Sequence, residues 1–139
     1  MGGDTQREKI MKMISVLLLA MMWLGCGYGS SKSATPQPGV VPVITDFSPP
    51  NAQSGGAAFT LTVNGSSFNS DATVNWNGSK QGTTYVTGKQ LTTAVPASAI
   101  ATPGTVAVTV TNPGHAAGGI YGSGGTASAT STPMNFTIN

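Results

Sequence analysis

From Cys26 onward, three side chains are of the kinds that usually move protons: His115, Asp46 and Asp71. General acid–base chemistry needs such groups to converge, with one of them oriented by another. The spacing argues against convergence. Asp46 closes a strand-like stretch and Asp71 falls in a turn ahead of Trp76, so the two carboxylates are not expected as a close pair. His115 lies in a glycine-rich segment with nothing beside it in sequence to orient its imidazole. Serine and threonine are plentiful, but a hydroxyl without a base is a strand-surface residue and not a nucleophile. The single cysteine, Cys26, excludes an intrachain disulfide and any Cys/His zinc spacing, and Asn69 with Asp71 lacks the alternating acids of a calcium loop. The expectation is a chain with no cofactor, no metal site and no catalytic residues.

Composition narrows the class further. Of 139 residues only 7% are charged, and glycine, serine, threonine and alanine dominate the remainder. Short Thr/Val strands joined by Gly, Pro and Asn turns fit an extracytoplasmic all-β domain better than a helical one. After the N-terminal segment there is no arginine, and Lys32, Lys80 and Lys89 stand against Asp46 and Asp71. Phosphate binding needs clustered cations, so nucleic acid is not expected as a partner.

The elements that must carry any site are read from alternation. Phe59, Leu61 and Val63 alternate with Thr60, Thr62 and Asn64, giving a strand with one apolar face. The Gly55-Gly56 pair turns the chain into it, and Asn64-Gly65 is expected to supply positive φ angles for a tight exit. The same period-2 pattern recurs over Ala72 to Asn77, Leu91 to Val95, Val106 to Val110 and Met134 to Ile138. With the stretches near Val41 to Phe47 and Thr83 to Thr87, about seven short strands result, which indicates an immunoglobulin-like β-sandwich. Phe59, Leu61, Val63, Trp76, Val108 and Phe136 are expected in its core.

Several of these pieces together resemble the IPT/TIG domain. They run in order: Pro42-Val43-Ile44-Thr45-Asp46-Phe47-Ser48-Pro49, Gly55-Gly56, Phe59 to Gly65 with Phe68, Asp71 to Gly78, Leu91 to Pro96, Gly104 to Asn112, and Met134 to Ile138. The resemblance covers residues 42 to 139 and implies an immunoglobulin-like fold of the kind found in receptors, some transcription factors and many bacterial surface or secreted proteins. The DNA-binding role of some members is not carried over, because the cations are missing.

At the N-terminus, Arg7, Lys9 and Lys12 precede an apolar run from Ile14 to Leu24, the layout of a secretory signal over residues 1–25. The run ends at Leu24-Gly25-Cys26, which resembles the lipobox of bacterial lipoproteins, with Trp23 and Leu24 standing where that motif usually has Leu and a smaller residue. The resemblance implies that Cys26 becomes the mature N-terminus and carries a lipid that anchors the protein in a bacterial envelope membrane, facing the periplasm or exterior. The residues themselves leave two other readings open: a signal cut elsewhere, which gives a freely secreted domain, and an uncleaved N-terminal anchor. Residues 26–40, rich in Gly, Ser and Pro, are expected to be a flexible tether to a domain at 41–139.

One segment exceeds what a hairpin needs. Pro113 to Pro133 is about twenty residues of mostly Gly, Ala, Ser and Thr, with Ile120 and Tyr121 as its bulky members. That pair is the candidate partner-binding tip; the alternative is a mobile low-complexity excursion whose Ile-Tyr pair folds back on the sandwich edge. Two functions of different class follow. One is a tethered interaction module whose loops or strand edge contact an envelope protein or a glycan. The other is a structural spacer or anchor domain with no ligand of its own.

Overall fold

The computed structural model describes residues 8–9, 35–118 and 124–139, so the signal segment apart from Glu8-Lys9, Cys26, most of the tether, and Ile120 and Tyr121 lie outside the described residues. Among those described, no helix is long and apolar enough to cross a membrane. The domain consists of ten strands: β1 (Val43–Ser48), β2 (Asn51–Ala52), β3 (Phe59–Ser66), β4 (Thr73–Trp76), β5 (Ser79–Lys80), β6 (Thr83–Thr87), β7 (Gln90–Val95), β8 (Gly104–Asn112), β9 (Ala129–Thr130) and β10 (Met134–Ile138). Seven of them correspond to the seven stretches expected from alternation; β2, β5 and β9 have two residues each. Between β7 and β8 lies a 3-10 turn, Ala97–Ile100.

The strands form two sheets. One has the order β1-β3-β7-β6, and the other β2-β10-β8-β4-β5, with β9 added to the end of β8. All pairs are antiparallel except β2 with β10. The chain changes sheets at Pro49-Pro50, where the missing N–H of proline interrupts pairing between β1 and β2. Asn77 and Gly78, both at positive φ, form the two-residue turn that joins β4 to β5. This is an immunoglobulin-like sandwich.

Alternation determines what lies between the sheets. Leu61 and Val63 of β3, Val74 and Trp76 of β4, Leu91 and Val95 of β7, Val108 and Val110 of β8, and Phe136 and Ile138 of β10 are all buried. Phe136 is at the centre. Its ring lies 5.8 Å from that of Phe47 in an edge-on arrangement, 5.9 Å from Phe59 nearly parallel to it, and 5.2 Å from Trp76. Phe59 departs from the expected core position. It is half-buried, because it opens β3 at the rim of the sheet, and it covers Phe136 from outside the buried cluster. Ile100, brought inward by the 3-10 turn, is buried although it belongs to no alternating run.

Two local expectations are corrected. Gly65 is not at positive φ and β3 runs on through it to Ser66; glycine is required there because a Cβ would collide with the Val43 carbonyl and the Phe68 ring. The tether is not free as far as residue 40: Gln37 bonds to Gly125 and Ala127 through its backbone, and Asn112 holds Val40.

The sheet margins are interrupted. A register shift breaks β1 between Ile44 and Asp46 and another breaks β6 between Tyr85 and Thr87, while the margins of the second sheet, β2 and β5, are two residues long. Bulges and short edge strands are the usual means of blocking strand addition. A long, flat edge for a partner strand is therefore absent among the described residues.

The aromatic cluster gives a direct test. Phe136→Ala should lower unfolding free energy in urea by about 3–5 kcal/mol, whereas Phe59→Ala, which removes a half-buried ring, should cost about 1–2 kcal/mol. Equal losses would contradict the central placement of Phe136.

Candidate functional site

Strand β8 is nine residues long, about 30 Å at the usual rise, and the two ends of the sandwich that it connects differ in chemistry. At its C-terminal end Asn112 is almost fully buried, at 1% exposure. Its Nδ2 donates to the carbonyls of Val40 and Ser67, both at 2.8 Å, and its Oδ1 accepts from the Asn69 amide at 3.0 Å. One buried, neutral side chain thus bonds backbone groups of the incoming tether and of the β3–β4 loop and has its own polar atoms satisfied by them.

The segment after Asn112 is ordered where it is described. It leaves β8, and His115 pairs with Thr126 across an antiparallel bridge, while Thr126 also bridges Gln37 in parallel. The returning arm adds β9 to β8, and Ser131, itself buried, exchanges bonds with Val110 through its backbone N–H and its hydroxyl. Gly125 is needed in this arm because a Cβ there would strike the His115 carbonyl. The stems of Pro113 to Pro133 pack on the sandwich; Ile120 and Tyr121, over which the two sequence readings differ, lie outside the described residues.

Bridging also gives His115 a partner that its sequence neighbours do not. Its Nε2 lies 3.4 Å from Oδ2 of Asp71. Both side chains are well exposed, at 59% and 42%, so the contact is a surface pair of small energetic weight. The other carboxylate, Asp46, accepts from Nδ2 of Asn64 at 2.6 Å, and Asn64 Oδ1 accepts from Gln90 at 3.0 Å, which continues the polar line across β1, β3 and β7. Asp46 and Asp71 therefore have separate partners. No group of three or more His, Cys, Asp or Glu is gathered among the described residues.

At the opposite end of β8 the sandwich opens into a groove of about 470 Å³. Its apolar wall comes from inward-facing positions of the second sheet, Trp76, Val106 and Ile138. The crossover from β7 to β8 contributes Ala99, Thr102 and Pro103, and the β4–β5 turn and the residues after it contribute Asn77, Ser79 and Gln81. Gln81 is positioned by its backbone N–H, which donates to Val74 at 2.9 Å, and by its Nε2, which donates to the Ser79 carbonyl at 3.2 Å. Sequence reading singled out Trp76 as core but missed Ser79, Gln81 and Thr102. The one legible signal was the uncharged polar run following the Asn77-Gly78 turn; that the crossover lies against it is a tertiary fact.

Asn112→Ala should lower stability by about 3 kcal/mol, because three backbone hydrogen bonds made by one side chain are lost together, and should speed hydrogen exchange at the Asn69 amide. His115→Gln should change stability by less than about 0.5 kcal/mol. Thermal melts of the two variants side by side check both.

Compared with known protein families, residues 42–138 match the IPT/TIG domain. No curated protein and no solved structure matches the chain.

Proposed function

The chain belongs to the IPT/TIG domain family, whose immunoglobulin-like domains are binding or structural modules, and on that premise we propose that it is a non-catalytic cell-envelope lipoprotein presenting this domain to another protein or a glycan. The observation that carries the proposal is where the tether joins. Gln37 to Val40 is bonded to the domain at the Asn112 end of β8, so the groove at the other end is left open. A lipid on Cys26 would hold the protein at a membrane through this segment. The interrupted sheet margins favour recognition by loops and groove over strand addition. Surface hydroxyls and amides with few charges suit an exposed envelope domain that meets neutral partners.

The test is the intact mass and membrane partition of the full chain made in a lipoprotein-processing bacterium, beside Cys26→Ala. The expected result is a mature form that begins at Cys26, carries acyl chains and sediments with membranes, all lost in the variant. A lipid-free mass starting elsewhere would overturn the anchor. A separate comparison addresses the loop tip: Ile120→Ala with Tyr121→Ala should reduce capture of an envelope partner without lowering Tm if the tip is a contact.

A further inference from the structure

We propose that the groove beside Trp76 is a binding site for a short, neutral oligosaccharide. The proposal rests on the interaction-module reading and names the ligand class that reading leaves open.

The lining carries the inference. Every polar side chain in the groove is a hydroxyl or a carboxamide, Ser79, Thr102 and Gln81 among them, and none is charged. An anionic ligand would require a cation, and a cationic ligand a carboxylate. The nearest basic residue in sequence is Lys80, between two groove residues. It pairs with Asn75, whose amide donates to Thr109 and Thr111 on the outer face of the second sheet. Alternation along β5 therefore turns the ammonium away from the groove that Ser79 faces.

A purely apolar ligand would leave the hydroxyls and amides without partners when it displaced water. Sugar hydroxyls both donate and accept, and so do hydroxyl and carboxamide groups. The apolar wall supplies the complementary half. Trp76 and Ile138, both buried, and the half-buried Val106 leave a narrow apolar strip beside the polar groups, and a sugar ring likewise carries apolar C–H groups beside its hydroxyls. The volume, about 470 Å³, is within the usual range for small-ligand sites of roughly 300–1,000 Å³.

The experiment is calorimetric titration of the purified full chain with maltotriose, cellotriose and triacetylchitotriose, with the anionic trigalacturonate as a control. At least one neutral trisaccharide should bind, and trigalacturonate should not. Gln81→Ala should weaken the binding about tenfold, the equivalent of one hydrogen bond, with Tm unchanged. Thr102→Ala serves as an independent second variant on the crossover side. The proposal is overturned if none of the neutral sugars binds at millimolar concentration, if trigalacturonate binds as well as they do, or if neither substitution changes affinity. Because lipidation at Cys26 is read by mass, a failure here leaves the anchored-module reading standing with its partner site elsewhere.

Discussion

The contact of Phe136 with three other aromatic rings is the constraint on which the rest of the domain depends. Phe47 and Phe59 come from the first sheet and Trp76 from the second, so a side chain of the last strand links both layers. There is no disulfide to do this, since the chain has one cysteine. Burial of aromatic surface, with about 0.5–1.5 kcal/mol for each well-placed ring pair, has to keep the layers together. Because these partners are distant in sequence, the sandwich closes only when the C-terminal strand is in place, a non-local topology that pays its loop entropy before the contacts form.

Hydrogen bonding organises what the aromatic core does not reach. Asn112 and Ser131 are buried polar residues, and both bond to backbone: Asn112 fastens the tether and the β3–β4 loop, and Ser131 continues the ladder of β8. Their effect is to convert segments of low-complexity composition into ordered structure at one end of the sandwich. In a small domain with about 5–15 kcal/mol of net stability, such bonds are a sizeable share. The glycines in these arms permit close backbone approach, so a composition that suggests flexibility here serves packing.

Interrupted margins, a closed end and an open end together limit how the domain can meet a partner. Bulges in β1 and β6 and the brevity of β2 and β5 break the rows of free backbone groups that strand addition needs. The Asn112 end is occupied by the tether and the stems of the long loop. Among the described residues the other end holds the groove, whose uncharged lining matches the low charge of the chain as a whole. The exposed His115–Asp71 pair at the closed end contributes charge without burial.

By itself the sequence determined the strands and the faces they bury. Period-2 alternation is a local property, so Leu61, Val63, Trp76, Val108 and Phe136 could be assigned inward positions from their neighbours. The Asn-Gly pairs were less legible, because Asn64-Gly65 stays extended within β3 whereas Asn77-Gly78 turns at positive φ. Only the tertiary structure decided the rest. Asn112 next to a Pro-Gly turn looks like a loop residue until Val40 and Ser67, far away in sequence, are placed over it. Asp71 meets His115 only because Thr126 folds the loop back, and Phe59 is half-exposed because it opens its strand. The groove exists because the β7–β8 crossover passes beside the β4–β5 turn. Each of these depends on which distant segments become neighbours, and a pattern of local periodicity carries no record of that.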